Sequence, residues 1–132
     1  MARMQERPLA VVSVRPWWIG FCAVVAFGLY MSARAYREGL PEIFERPYVD
    51  KVAHFFTAGL LAFFLDGGLR RRNLALTRGI KVPLAAALVL IPLGIEEFLQ
   101  RYATFRTASY GDFAADMAGV TILIPLSRWV SR

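Results

Sequence analysis

The stretch DKVAHFF, Asp50 to Phe56, sets a carboxylate, an ammonium and the chain's single histidine within five positions, directly ahead of an apolar run. On a helix, Asp50 and His54 share one face a turn apart. A carboxylate beside an imidazole can orient it, exchange a proton with it, or join it around a cation. A neighbouring lysine can hold a phosphate. Two later stretches repeat this mixture at the edges of apolar runs. EEFLQ places Glu97 and Gln100 on one helix face, and SYGDFAAD supplies Ser109, Asp112 and Asp116. Arg106 lies in the connection between them.

These groups need elements to bring them together, and composition says which. The chain has 132 residues, enough for a single domain over 1–132, and is 57% hydrophobic and 14% aromatic, above the usual apolar share of a soluble domain. Four apolar windows carry the excess, at about 16–34, 51–69, 82–100 and 112–130. At ~1.5 Å rise per residue, each reaches ~27 Å, enough for a ~30 Å hydrocarbon core when the end residues snorkel. The expected fold is all-α and polytopic: a bundle of four transmembrane helices.

The charges orient this bundle. With four spans, the termini and the middle loop share one side, which holds Arg3, Arg7, Arg15, Arg70, Arg71, Arg72, Arg78, Lys81, Arg128 and Arg132. The other side holds Arg34, Arg37, Arg46, Lys51, Arg101 and Arg106, diluted by Glu38, Glu42, Glu45, Asp50 and Asp112. The excess predicts both termini in the cytoplasm. Topology also accounts for the net charge of +6, so no nucleic-acid partner is expected.

Arg3, Arg7 and Arg15 followed by an apolar run and SARA at 32–35 imitate a signal peptide. The run is longer than a usual signal core and Arg34 sits within the cleavage motif, so an uncleaved first helix is expected. Pro16 suits its start, and Trp17 and Trp18 suit the headgroup layer, as does Trp129 near the end of the last span. Cys22 lies in the first apolar run, where it packs or faces lipid. REGLPEIFERPYVD is either a short interfacial helix starting at Pro41 or an ordered loop. RRRNLALTRGIK is a short basic turn. Pro92 and Pro125 kink the last two spans, while Gly94, Gly119 and the alanines at 114, 115 and 118 allow close helix approach.

Threaded this way, three helix ends deliver Asp50, Lys51, His54, Glu97, Gln100, Arg106, Asp112 and Asp116 to one layer near the outer surface. Glu96 points about 100° away from Glu97, toward the headgroups. Asp66 falls at the inner boundary, where DGGLRRR ends the second span. An acid at a helix centre costs about 2.5–3.5 kcal/mol on insertion scales, so such groups turn inward and pair. Pairing alone, Asp116 with His54 and Arg106 with Glu97 or Asp112, could hold a short bundle together. Eight polar groups exceed what that requires, since buried ion pairs often fail to offset their desolvation.

DKVAHF, EEFLQ, an arginine and SYGDFAADMAG, in that order, resemble the VanZ-like family of small bacterial membrane proteins, named for a protein associated with resistance to the glycopeptide teicoplanin. The resemblance covers about positions 50–120. It marks Asp50, Lys51, His54, Glu97, Gln100, Arg106, Ser109, Asp112 and Gly119, and departs from the family pattern at Asp116, where an asparagine is expected. It implies a helical protein of the bacterial cytoplasmic membrane with an envelope role, and it implies no reaction.

The functional expectation is an outward-facing pocket that binds or modifies an amphipathic envelope molecule, a lipid phosphate or a lipid-linked cell-wall precursor. Lys51, Gln100, Arg106 and Ser109 are the candidate ligand or phosphate contacts. Asp50, His54, Glu97, Asp112 and Asp116 are the candidate catalytic groups, and the same five could hold a divalent cation, although their spacing lacks the density of an H-E-x-x-H motif. Ser109 has no nucleophile-elbow sequence around it. The competing expectation is a non-enzymatic accessory subunit packed against a larger membrane protein complex, its small-residue faces serving as the contact. Membrane lipids are partners under either.

Overall fold

The computed structural model describes residues 13–39, 41–102 and 109–131. Four α-helices dominate: α1 (Arg15–Glu38), α2 (Pro47–Gly68), α3 (Leu84–Gln100) and α4 (Tyr110–Val130). Three of them, α1, α2 and α4, are long and apolar enough to cross a membrane. The fourth, α3, has 17 residues, about 26 Å of helix. Pro16 sits in the first turn of α1 and Pro47 in that of α2, where a missing N–H goes unneeded. Gly39, with φ at 77°, stops α1 in a conformation that favours glycine.

Two short elements fill the connections. A single 3₁₀ turn, Glu42–Glu45, follows Pro41 between α1 and α2. The basic loop between α2 and α3 is more than a turn. Its strands β1 (Asn73–Ala75) and β2 (Lys81–Pro83) pair antiparallel with Leu74 opposite Val82. The chain enters this hairpin through Arg70 and Arg71, both at positive φ.

The core of the bundle is the contact between α2 and α4, which run parallel. At Gly119 of α4, an added Cβ would sit 2.0 Å from the Phe55 carbonyl oxygen of α2, and at Gly59 of α2 it would sit 2.9 Å from the Gly119 carbonyl oxygen. Only hydrogen fits at either position, so the two backbones touch. Around them pack Ala58, Ala62, Leu65, Val120 and Ile124, with Ala85, Ala86 and Val89 of α3 closing the third side. Gly94 is less constrained, since its added Cβ would meet the Phe113 ring edge at 3.3 Å.

Polar pairs between α2 and α4 keep a sequence offset of 61 or 62 residues from one end to the other, as expected for parallel helices in register. The inner-end pair is closed. Asp66, fully buried, accepts two hydrogen bonds from Arg128, from Nε and Nη2, each 3.0 Å. Ser127 donates to it at 3.5 Å, and Arg128 also donates to Asn73 Oδ1 at 2.9 Å, fastening the hairpin. Asp66 is thus the anchor of a buried network, and its role extends beyond the boundary position the sequence indicates.

The first helix is attached differently. None of its residues is buried, and it packs chiefly on α2. Trp17 lies over Gly67 and against Phe63 and Phe64, with ring centroids 5.3 and 6.3 Å away, and Phe64 occupies the space that Gly20 leaves open. Trp17 is therefore a packing residue at the helix interface, while Trp18, over Gly68, is more exposed. Cys22 is exposed.

Two outcomes test this arrangement. Gly119→Ala should destabilise the detergent-solubilised protein by about 2 kcal/mol or more, because the new methyl meets backbone, whereas Gly94→Ala should cost under about 1 kcal/mol. Thermal unfolding that ranks them equally would refute the close contact. Arg128→Ala should cost about 3–5 kcal/mol by stranding a buried carboxylate, and Asp66→Leu with Arg128→Met should recover most of it. Denaturant titration of both variants checks this.

Candidate functional site

At the opposite end of the α2/α4 contact the polar groups gather. Ser109 caps α4, its hydroxyl accepting from the Gly111 backbone N–H at 3.2 Å, which sets Asp112 in the first turn and Asp116 a turn deeper. Gly111 makes room for Lys51, since an added Cβ would lie 2.8 Å from Lys51 Cε. Lys51 uses that space to donate to Asp112 Oδ1 at 3.5 Å.

His54, three residues on and on the same side of α2, reaches Asp116 of α4. Its Nδ1 lies 3.1 Å from Asp116 Oδ1, within hydrogen-bond distance. The acid is 2% exposed, so this bond is shielded from competing water. The second nitrogen, Nε2, lies 3.8 Å from Asp50 Oδ1, on the same face of α2 as the sequence predicts. One donor atom each of Asp50, His54 and Asp112 come within 4.8 Å of one another.

Next to this cluster is a partly open cavity of about 260 Å³ between α1 and the other three helices. Its walls are apolar over Val24, Val25, Ala58, Leu61 and Leu93, and its polar end is formed by Ser32, Asp50, His54, Glu96 and Asp116. Phe44 from the 3₁₀ turn borders the same end. From Asp50 to Leu61 the lining follows about 16 Å of α2, so one end is ionisable and the rest is hydrocarbon-like.

The third helix contributes through Glu96. It accepts hydrogen bonds from Gln100 Nε2 at 3.1 Å and from the Ser32 hydroxyl of α1 at 3.4 Å. Glu97, the residue expected here from the sequence, is not among those lining the cavity. Gln100 is buried and enters the site as the partner of Glu96. Ser32 and Thr57, which also line the cavity, carry no signal in the sequence beyond a hydroxyl in an apolar run.

The remaining predicted residues divide. Lys51 and Asp112 form a pair beside the cavity, and neither lines it. Ser109 serves as the helix cap. Arg106 lies outside the described residues. The helix ends that flank it are held together by Arg101, whose guanidinium sits 4.8 Å from the centroid of the Tyr110 ring.

Chemically, the arrangement can do two things. It can hold a chain-like apolar group with a polar head at the ionisable end, and it can fix the tautomer and orientation of an imidazole through a buried acid. Compared with protein-family models, with curated proteins and with solved structures, the chain matches none.

Proposed function

We propose that this protein binds a single-chain amphiphile of the cell envelope, a lipid phosphate or a lipid-linked cell-wall precursor, with its tail in the cavity and its head at Asp50, His54, Glu96 and Asp116. The observation that carries this reading is the cavity itself: apolar along most of its length, ionisable at one end, and partly open beside α1. Its volume lies just under the ~300–1,000 Å³ usual for small-molecule pockets, which suits one slender chain better than a bulky ring system. Lys51, near the start of α2, and Arg106, which the sequence sets between α3 and α4, are the candidate cations for a head that projects beyond the cavity.

The parallel run of α2 and α4 supports a membrane setting in which α3 and its hairpin return across the same thickness as the fourth span. Basic residues at the hairpin and at the end of α4 favour that side, with both termini, as the cytoplasmic one and the cavity's polar end as the outer one. The protein is then a VanZ-like resident of the bacterial cytoplasmic membrane, with a role in the envelope and in resistance to antibiotics acting there.

A second reading is an accessory subunit without catalysis. Ala114 and Ala118 of α4 are exposed, a small-residue face that another membrane helix could approach closely.

Native mass spectra of protein released from native-lipid nanodiscs test both. Wild type should carry one polyprenyl or phospholipid mass. Ala53→Phe, which fills the cavity, should reduce its occupancy at least about tenfold, whereas Val52→Phe, on the exposed neighbouring position, should leave it unchanged. Arg106→Ala should weaken it by removing a cation offered to the head. Equal occupancy in all three variants would overturn the amphiphile reading, and a stoichiometric protein partner in place of lipid would favour the accessory one.

A further inference from the structure

The polar end of the cavity has an electrostatic imbalance. Around His54 stand the carboxylates of Asp50 and Asp116 on the cavity wall and Asp112 beside them, with Glu96 across the cavity on α3. Lys51 is the cation paired within this group, and it reaches Asp112 alone. No lysine or arginine lines the cavity among the described residues. A phosphate head entering here would meet carboxylates, which repel it.

The imidazole gives the imbalance a direction. With Nδ1 engaged by buried Asp116, the other ring nitrogen, Nε2, is left facing Asp50 at 3.8 Å, too far for a hydrogen bond. The carboxylate–imidazole pairing is the arrangement by which proteins fix a metal-binding histidine and raise its basicity.

From these contacts we infer that Asp50, His54 and Asp112 form a binding site for one divalent cation of the Mn²⁺ or Zn²⁺ type, with Asp116 positioning the imidazole. An imidazole with two carboxylates is a donor set suited to such ions. Ligands bonded at ~2.0–2.2 Å lie ~3.3–3.6 Å apart at tetrahedral angles, so closing from 4.8 Å takes side-chain shifts of roughly an ångström. Asp112 is available because Lys51 engages only its Oδ1, and at 3.5 Å. Asp50 and Asp112 each stand in the first turn of their helices, so both ligands ride on rigid elements that the Gly59–Gly119 contact holds together.

The site deepens the amphiphile reading and rests on it for its purpose: the cation adds positive charge at the carboxylate-rich end of the cavity, where no lysine or arginine lines the wall among the described residues. A phosphate or other oxyanion head would bind through it. Cation binding itself requires no amphiphile, so the two can be measured apart.

The test uses the full chain in nanodiscs, stripped with chelator and titrated with Mn²⁺ under electron paramagnetic resonance and with Zn²⁺ by calorimetry. One ion per chain should bind, with nitrogen coupling to the bound Mn²⁺. His54→Gln should abolish that coupling, and Asp50→Asn with Asp112→Asn should weaken affinity at least 100-fold (roughly, for loss of two ligands). Asp116→Asn should weaken it about 10- to 100-fold, the range for an outer-shell partner. Thermal unfolding of each variant without metal separates lost ligation from lost fold, and Lys51→Met, which removes the competing cation, should bind at least as tightly as wild type. Equal binding in wild type and the His54→Gln and Asp50→Asn/Asp112→Asn variants, or no nitrogen coupling, would overturn the proposal. Lipid occupancy on the same samples distinguishes failures: stoichiometric metal without amphiphile leaves this site standing and removes the cavity reading, while amphiphile that survives complete chelation removes the cation's role in holding it.

Discussion

Two glycines bring α2 and α4 to backbone contact, and the rest of the polar architecture between them depends on it. Gly59 and Gly119 leave no room for a side chain at the crossing, and parallel helices at that distance keep their register. Every polar pair between α2 and α4 then follows from one geometric fact. Lys51 meets Asp112, His54 meets Asp116 and Asp66 meets Arg128 because each pair has an offset of 61 or 62 residues. A wider separation of even a methyl group would stretch all three together.

The two ends of this pair show what stabilising and functional ionisable groups look like in one protein. At the inner end the Asp66 carboxylate has two guanidinium bonds and a hydroxyl, and Arg128 also donates from Nη2 to Asn73. Such a network holds the hairpin. At the other end the carboxylates outnumber the cations, Lys51–Asp112 and His54–Asp50 lengthen to 3.5 and 3.8 Å while His54–Asp116 holds 3.1 Å, and a cavity adjoins them. Burying carboxylates without full compensation weakens a fold, so their retention favours an external partner over a purely structural role.

Much of this was legible in the sequence, and the misses have physical causes. Ionisable residues at the rims of apolar runs are conspicuous, so the convergence of Asp50, His54, Gln100, Asp112 and Asp116 could be read from spacing and topology alone. The use of Glu96 in place of Glu97 could not, because Gln100 shares a face with both: i,i+3 and i,i+4 neighbours are equally close on a helix, and packing of α3 decides between them. Asp66 looked like a boundary residue because its partner is 62 positions away. Gly119 was recognisable from its small neighbours, whereas Gly59, flanked by an alanine and two leucines, reads as an ordinary position in an apolar helix. The basic loop hid a hairpin because three-residue strands are too short to show a period.

The cavity exists because α1 is fastened unevenly. Its inner half is keyed to α2 by aromatic rings set over Gly20 and Gly67, contacts that fix both distance and rotation. Its outer half has no such key. There the wall is built from Gly28, Met31 and Ser32, and the bridge to α3 is one hydroxyl bond of 3.4 Å to Glu96. A hydroxyl bond of that length is worth little beside the packing at the other end. The first helix is therefore held mainly by its aromatic half, while the α2 and α4 residues at the head of the cavity are held independently of it, by the glycine contact.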